Sequence, residues 1–158
     1  MINTETYFEY ISDDEIDKEK IINAIIPELP TRATKHSAGY DIQTPMDIDL
    51  NPGESVIIPT LLKCCMADGL FLWIVPKSGL GFKYFVRLAN TCGIIDGDYY
   101  NNVTNEGHIM VKIRNEGGRE LHIPAGKAFC QGIFLPYYIT TNDNTDGERQ
   151  GGFGSTNS

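Results

Sequence analysis

The sequence of 158 residues lacks long apolar runs and has few cations. Hydrophobic residues make up 41% of the chain and charged residues 22%, which is the balance of a globular protein. No stretch approaches the roughly eighteen apolar residues of a membrane span, so no membrane partner is expected. A formal net charge of -8 repels a phosphodiester backbone, and no block of Lys and Arg offsets it. A nucleic-acid polymer is therefore not an expected partner, whereas a small polyphosphate held by a few cations, amides and a metal ion is compatible with the charge.

Cysteine pairing motifs and targeting signals are also missing. The four cysteines show neither CxxC pairing nor metal-ligand spacing with the three histidines, which predicts reduced, mostly buried thiols. The start of the chain has no basic end followed by an apolar stretch, so it resembles neither a secretory signal nor a transit peptide. A cytoplasmic location is expected. The cysteines are Cys64, Cys65, Cys92 and Cys130, and the histidines are His36, His108 and His122.

Short apolar runs separated by turn signals make up most of the chain. Runs rich in Ile, Val, Phe and Tyr recur between about residues 20 and 139, and segments such as NPGE, NEGG and PAG divide them. Long helical patterns between them are missing, which disfavours a parallel βαβ sheet and favours an antiparallel sandwich, barrel or jelly roll. One all-β domain is therefore expected. Candidate strands are 46–50, 54–58, 71–75, 108–114, 119–123 and 128–135.

Two segments are expected to lie outside this domain of residues 20–139. Residues 1–19 form an acidic N-terminal extension, in which SDDE from Ser12 is a capping-box pattern that predicts the start of a short helix. A second short helix is expected after Gly79. Residues 140–158 are polar and glycine-rich, so they are predicted to form a tail that is mobile by itself.

Three short clusters carry groups suited to a metal ion and to phosphate oxygens. In SAGYDI, small residues before Asp41 allow close backbone packing and aim a carboxylate. PKSGLG offers Lys77, Ser78 and amides freed by glycine at the end of an apolar strand. GKAFCQGIF places Gln131 among the apolar residues of a strand. Each cluster alone also fits an ordinary turn or an outward strand face, which is the commoner interpretation.

Two further clusters combine glycines with aromatic and charged groups. NTCGIIDGDYYNN is an apolar hairpin followed by Asp96, Asp98 and two tyrosines, one of which is expected to serve only packing. An EF-hand loop starting there would have Asn101 in place of its Gly and Gly107 in place of its Glu, so calcium is rejected. RQGGFGSTNS begins at Arg149 and contains an aromatic ring that a flexible tail does not need. This segment is therefore expected to close over a flat, anionic ligand.

Taken together and in this order, the five clusters resemble the five motifs of trimeric dUTPases. LPTRATKHSAGYDI, NTCGIIDGDYY and GGFGST are similar to that family with few changes, and the resemblance extends from about residue 20 to the C-terminus. It implies a β jelly roll assembled as a homotrimer, with sites at subunit junctions and the tail of one subunit closing a site formed by the other two. It also implies hydrolysis of dUTP to dUMP and pyrophosphate with Mg²⁺, which limits uracil in DNA and supplies dUMP.

The resemblance further implies a role for individual residues. Asp96 matches the carboxylate that orients and deprotonates the attacking water, and Tyr99 matches the ring that leaves no room for a 2'-hydroxyl. Asp41 matches the carboxylate that reaches Mg²⁺ through a water. The other matched positions bind substrate, namely Asn90, Gly93 and Ile95 at uracil, Lys77, Ser78, Gly79 and Gln131 at the phosphates, and Arg149, Phe153, Gly154, Ser155 and Thr156 in the tail. In the tail, Phe153 would stack on uracil, and Arg149, Ser155 and Thr156 would hold the γ-phosphate.

The sequence departs from the family pattern at several points. Lys77 stands where arginine is usual, which replaces a bidentate phosphate contact with a point charge. A single residue separates Arg149 from Gly151, where many members have two. Residues 1–19 and the stretch 101–108 extend beyond the usual lengths. Either addition offers a place for a regulatory protein partner.

Two other interpretations stay open. A dCTP deaminase of the same fold would need a glutamate beside the base, and the first one after Asp96 is Glu106 in the longer stretch. A regulatory protein would use a nucleotide-bound dUTPase scaffold to bind another protein, as an addition to catalysis. Release of ammonia instead of pyrophosphate would identify the first, and a partner that leaves when dUTP is added would support the second.

Overall fold

The computed structural model has an all-β fold with two short α-helices, and it describes residues 2–20, 24–147, 149 and 152. The helices are α1 (Asp13–Glu19) and α2 (Ser78–Tyr84), and a 3₁₀ turn spans Gly97–Tyr99. The strands are β1 (Tyr7–Tyr10), β2 (Thr31–Arg32), β3 (Tyr40–Gln43), β4 (Ile48–Leu50), β5 (Ser55–Pro59), β6 (Leu62–Cys65), β7 (Leu70–Pro76), β8 (Val86–Leu88), β9 (Gly93–Ile95), β10 (Met110–Asn115), β11 (Leu121–Ile123) and β12 (Ala128–Pro136). The predicted all-β class is confirmed, and each candidate strand overlaps one of these.

Antiparallel pairing brings together strands that are distant in sequence. The largest sheet has the order β2-β3-β12-β7-β9, and β5-β10-β8, β1-β6 and β11-β4 form the smaller ones. In the largest sheet, β12 lies between β3 and β7, although about fifty residues separate β12 from β7 along the chain. This order places the predicted site segments on neighbouring strands.

The core is formed by the inward side chains of these sheets. Along β10, Val111 and Ile113 are buried while Lys112 and Arg114 are exposed. This alternation is typical of a strand that has one buried and one solvent-exposed face. Phe129 on β12 is fully buried in the same core. Each such large apolar side chain contributes about 1.5–3 kcal/mol by leaving water.

The N-terminal extension lies against the domain. Strand β1 pairs with β6 in register, and Ile11 after it is buried. The ring of Phe8 packs 5.6 Å from that of Phe134. Helix α1 begins after Ser12, whose Oγ accepts a hydrogen bond from the Glu15 amide at 3.3 Å, so the predicted helix start is confirmed. The division into segments 1–19, 20–139 and 140–158 stays a prediction.

The second helix and the cysteines agree with the sequence interpretation in part. The helix expected after Gly79 is present and begins at Ser78. All four cysteines are free thiols, but only Cys64 and Cys130 are buried, so burial is less extensive than expected. Within the described ranges, no helix has both the length and the apolar character needed to cross a membrane.

Candidate active site

Strand β7 separates two groups of predicted site residues. Lys77 follows its C-terminal end, whereas Asp96 follows the neighbouring antiparallel strand β9. Because Ile95 of β9 lies opposite Leu72, Asp96 lies beside the start of β7. A strand rises about 3.3 Å per residue, so Lys77 and Asp96 of one chain are about 20 Å apart. One chain therefore does not bring the two groups to the same place.

The first group gathers Asp41, Lys77 and Gln131 at the C-terminal end of β7. Asp41 on β3 lies opposite Gln131 on β12, and the Lys77 Nζ donates a hydrogen bond to Asp41 Oδ1 at 2.6 Å. Gln131 Nε2 donates to the backbone carbonyl of Pro76 at 3.4 Å. Roughly a quarter to a third of the Lys77 and Asp41 side chains is exposed, so the pair is accessible to an anion.

Residues at the start of α2 also belong to this first group. Ser78 and Lys77 line an open cavity of about 530 Å³, together with the exposed rings of Phe82 and Phe85. Gly79 lies in the first turn of the helix with open space around it. The predicted phosphate-binding residues are thus neighbours around the end of β7, and Lys77 and Ser78 line the same cavity.

Gly39 determines the space available to Gln131 and was missed as a site residue. A Cβ at Gly39 would lie 2.1 Å from Gln131 Oε1, which is shorter than any real contact. The SAG segment before Asp41 was the available signal. It was interpreted as a means of aiming that carboxylate, whereas the close approach in the structure is to the glutamine of the adjacent strand.

The hairpin residues of the second group share one apolar cavity. Asn90, Gly93 and Ile95 line a cavity of about 460 Å³, which is the size of a small-ligand pocket. The hairpin turns at Thr91, which has a φ of 71°. A Cβ at Gly93 would lie 3.1 Å from the Cβ of Ile74, so glycine permits the close strand pairing. Among the described residues that line this cavity there is no carboxylate, so the glutamate that a deaminase needs is not among them.

Asp96 lines a different cavity and is paired with an arginine of the tail. The cavity has a volume of about 570 Å³ and is also lined by Asp98, Tyr100 and Arg149. The Asp96 side chain is 51% exposed. Arg149 donates through Nη2 to Asp96 Oδ2 and through Nε to Asp98 Oδ1, the latter at 2.7 Å. The structure therefore brings Arg149 to these carboxylates and not to the Lys77 group.

Tyr99 is the most enclosed of the described site residues, with 6% of its surface exposed. Its hydroxyl donates to the His108 carbonyl at 2.9 Å and accepts from Asn105 Nδ2 at 2.8 Å. Burial raises the pKa of the Tyr99 phenol above its usual value. The guanidinium of Arg149 lies 5.8 Å from the ring centroid, and a Cβ at Gly152 would lie 2.6 Å from the ring. Two residues of the tail therefore approach this tyrosine.

Some predicted residues are outside the part of the chain that the structure describes. These are Phe153, Gly154, Ser155 and Thr156 of the tail. Within the described ranges, no group of three or more His, Cys, Asp or Glu side chains is arranged to hold a metal ion. The individual roles of all the site residues stay predictions.

The fold and the two groups define the class of protein first. It is an all-β protein that carries a group of polar residues around Lys77 and a hairpin with a carboxylate, Asp96, at opposite ends of the strand β7. The family model described as dUTPase matches residues 27–157. The deoxyuridine 5'-triphosphate nucleotidohydrolase of Lactococcus lactis subsp. lactis is 42% identical over 130 residues, covering 81% of this chain and 87% of that protein. The chain belongs to the dUTPase family.

Other relatives and solved structures agree with this membership. The protein of the same name from Tolumonas auensis is 38% identical over 148 residues, which cover 87% of this chain and 94% of that protein. The crystal structure of dUTPase from Streptococcus mutans has a TM-score of 0.68 at 34% identity, covering 85% of this chain and 98% of that one. The dUTPase from phage phi11 of S. aureus has a TM-score of 0.68 at 18% identity, covering 91% of this chain and 97% of that one. At this low identity the similarity is evidence for the fold alone. The predicted jelly roll is confirmed.

Proposed function

We propose that this chain hydrolyses dUTP to dUMP and pyrophosphate in active sites that copies of the chain share. Its membership of the dUTPase family, over residues 27–157, identifies it as a dUTP diphosphatase. The observation that supports sharing is the separation of Lys77 from Asp96 by the length of β7. Hydrolysis needs both groups at one triphosphate, so each must come from a different copy. A homotrimer satisfies this requirement with closed symmetry.

Asp96 is assigned the role of general base. Its carboxylate is exposed in the cavity that it shares with Asp98 and Arg149, where it can accept a proton from a water. The water oxygen then forms a bond to the α-phosphorus, and the bond from that phosphorus to the bridging oxygen breaks to release pyrophosphate. Such a reaction needs an aligned water and stabilised charge more than a covalent nucleophile. Ser78 is therefore assigned to phosphate binding and not to attack.

The phosphate oxygens are assigned to the first group of a second copy. Lys77, Ser78, Gly79 and Gln131 offer an ammonium, a hydroxyl, an amide and a carboxamide on one surface. These donors act on charge that spreads over the phosphate oxygens as the bond breaks. Lys77 has to exchange its contact with Asp41 for one with phosphate, and the two side chains are exposed enough to permit this.

Mg²⁺ is assigned to Asp41. This ion prefers oxygen ligands, keeps several waters and binds through one or two carboxylates together with substrate phosphates. Asp41 is a single, partly exposed carboxylate next to the phosphate-binding residues, which fits binding through a water. The ion would supply charge neutralisation at the triphosphate.

Substrate selection is assigned to the hairpin cavity and to Tyr99. Asn90, Gly93 and Ile95 would present mainly backbone groups to uracil, and cytosine would leave buried polar groups unpaired. The ring of Tyr99, fixed by two hydrogen bonds to its hydroxyl, would exclude a 2'-hydroxyl. The tail residues Arg149, Phe153, Gly154, Ser155 and Thr156 would close over the nucleotide, and the contacts of Arg149 and Gly152 with this region support that assignment.

Pyrophosphate release from dUTP, compared with dCTP, dTTP and UTP, tests the reaction. We expect strong preference for dUTP and no ammonia from dCTP, whereas ammonia release would make the chain a deaminase.

Light scattering should give a trimer, and a monomer with full activity would refute the shared site. A sharper test mixes Asp96→Asn and Lys77→Ala chains after unfolding, because roughly a quarter of the re-formed sites join two intact halves. Mixing that restores no activity would also refute sharing.

Two further predictions lie outside this proposal. The cytoplasmic location is expected from the sequence and stays a prediction. A regulatory protein partner also stays a prediction, and co-purification that ends on addition of dUTP remains its test.

A further inference from the structure

The two additions to the family pattern touch each other through Glu106. Its Oε2 accepts a hydrogen bond from the Ser12 amide at 3.1 Å, and its Oε1 accepts one from the Ser12 hydroxyl at 2.5 Å. The Nζ of Lys63 lies 3.4 Å from the same carboxylate. The hydroxyl of Ser12 is the main cause that lowers the pKa of Glu106 below its usual range. Hydrogen bonds thus connect the N-terminal extension to the loop 101–107.

A second set of contacts supports the same junction. The hydroxyl of Tyr100 donates to Glu9 of β1. The ammonium of Lys63 lies 3.5 Å from Glu9 Oε1, 5.5 Å from the centroid of the Tyr100 ring, and donates to Asn101 Oδ1 at 2.7 Å. Only 13% of the Lys63 side chain is exposed, so solvent screens these contacts less than it does at the surface. We call Glu9, Ser12, Lys63, Tyr100 and Glu106 the clasp.

The loop that the clasp holds has an unfavourable backbone. Asn101 and Glu106 have φ values of 56° and 58°, in the left-handed region that non-glycine residues disfavour. Gly107 has a φ of 83°, and a Cβ there would lie 2.6 Å from the carbonyl oxygen of Tyr99. The loop closes through a hydrogen bond of 2.9 Å from the Asn101 amide to the Glu106 carbonyl. Such a conformation persists where surrounding contacts hold it.

The other side of this loop contacts Tyr99. Asn102 Nδ2 donates to the Tyr99 carbonyl at 2.8 Å, and Asn105 Nδ2 donates to the Tyr99 hydroxyl at 2.8 Å. The loop therefore holds both the backbone and the ring of the residue that is assigned to reject a 2'-hydroxyl. A small displacement of the ring would open space beside the sugar.

We propose that Glu106, held by Ser12 and Lys63, is a positioning residue that fixes Tyr99 and thereby sets the discrimination between dUTP and UTP. The inference rests on the proposed function, in which the Tyr99 ring excludes the 2'-hydroxyl. Glu106 acts through the loop and does not contact the nucleotide. The N-terminal extension is accordingly part of the specificity apparatus of the enzyme.

The test is kcat/KM for dUTP and for UTP in Glu106→Ala, Glu106→Gln and Ser12→Asp chains. Ser12→Asp keeps a residue that caps α1 but sets a second carboxylate against Glu106. We expect the ratio of the two kcat/KM values to fall by about tenfold in Glu106→Ala and Ser12→Asp, and less in Glu106→Gln. Glu116→Ala is the matched control, because Glu116 pairs with the exposed Arg87 outside the clasp, and it should leave the ratio unchanged.

Measuring Glu106→Ala in a Tyr99→Phe chain as well distinguishes an effect of Glu106 on the position of Tyr99 from a general loss of activity. Without the hydroxyl, the contact from Asn105 is lost, so Glu106→Ala should lower the ratio much less than it does in the unaltered chain. An unchanged ratio in Ser12→Asp, or an equal fall with and without the Tyr99 hydroxyl, would overturn the inference. Failure of the unaltered chain to hydrolyse dUTP would instead refute the proposed function, and equal use of dUTP and UTP by that chain would refute the role of Tyr99.

Discussion

His108 Nε2 accepts a hydrogen bond of 3.1 Å from the backbone amide of Leu61, and both residues are fully buried. Leu61 has a φ of 63°, in the left-handed region that leucine rarely adopts. The bond needs an unprotonated Nε2, so the neutral imidazole holds this unfavourable turn in place. Burial lowers the pKa of His108 to about 4.

We expect the protein to lose stability as the pH falls from 6.5 to about 4. An unfolded histidine titrates near 6.5 and the folded His108 near 4, so within this window the unfolded state binds more protons. The free energy of unfolding therefore falls with falling pH, by at most about 3 kcal/mol from this group. Thermal melting measured across this window should show the loss. His108→Gln should flatten it and the exposed His36→Gln should not, while a loss that persists in His108→Gln would have another origin.

Asp96→Asn should reduce turnover of dUTP by at least about a hundredfold while substrate binding survives. The amide keeps the shape of the side chain but neither orients nor deprotonates the water. Asp98→Asn is the matched control, since Asp98 lines the same cavity and binds the same Arg149, and its turnover should stay near normal. Steady-state kinetics and calorimetric binding measure the two effects. Near-normal turnover of Asp96→Asn would mean that another group is the base.

Gly39→Ala should weaken phosphate binding without unfolding the protein. The added methyl group would lie 2.1 Å from Gln131 Oε1, so the glutamine side chain has to move. Loss of one hydrogen bond to a charged phosphate costs about 1.5–3 kcal/mol, which corresponds to roughly a tenfold or greater rise in the KM for dUTP. Gly118→Ala, at a position with open space, should leave KM unchanged. Equal KM values for Gly39→Ala and Gly118→Ala would show that Gln131 does not bind phosphate.

Truncation after Asn144 should abolish most catalysis while the trimer persists. The described body of the protein, including the hairpin cavity, consists of residues before this point, so melting should change little. The cut removes Arg149 and the glycine-rich segment that are assigned to close over the triphosphate. The loss of alignment and of solvent exclusion should cost several kcal/mol in turnover, by order of magnitude. An intact trimer with undiminished turnover would exclude a catalytic role for the tail.

Local patterns predicted local structure well. The SDDE pattern predicted the start of α1 because the Ser12 cap and the Glu15 amide are only three residues apart. The run 108–114, rich in Ile and Val and followed by the turn signal NEGG, likewise predicted the strand β10 from neighbouring residues alone. Strand β1 was not predicted, because its pairing with β6 depends on residues more than fifty positions away. Secondary structure that depends on a distant partner leaves a weak signal in the segment itself.

The order of the motifs predicted which residues form the candidate site but not how they are arranged. The contact of Lys77 with Asp41, and the distance of both from Asp96, follow from the position of β7 between β12 and β9. No local pattern encodes that order. The contact of Glu106 with Ser12 was missed for the same reason, because 94 positions separate the two residues. The additions at 1–19 and 101–108 were interpreted as separate features, whereas they form one junction.

The proposed sharing of sites between chains also determines how two defective versions of the gene combine in a cell. When both versions are expressed together, their products enter the same trimers. A chain with a damaged Lys77 disables only the site to which it contributes that residue, and its intact Asp96 still serves a site that a neighbouring chain completes. One such allele should therefore do no more harm than its share of the chains, whereas two alleles damaged in different groups should partly restore each other's activity.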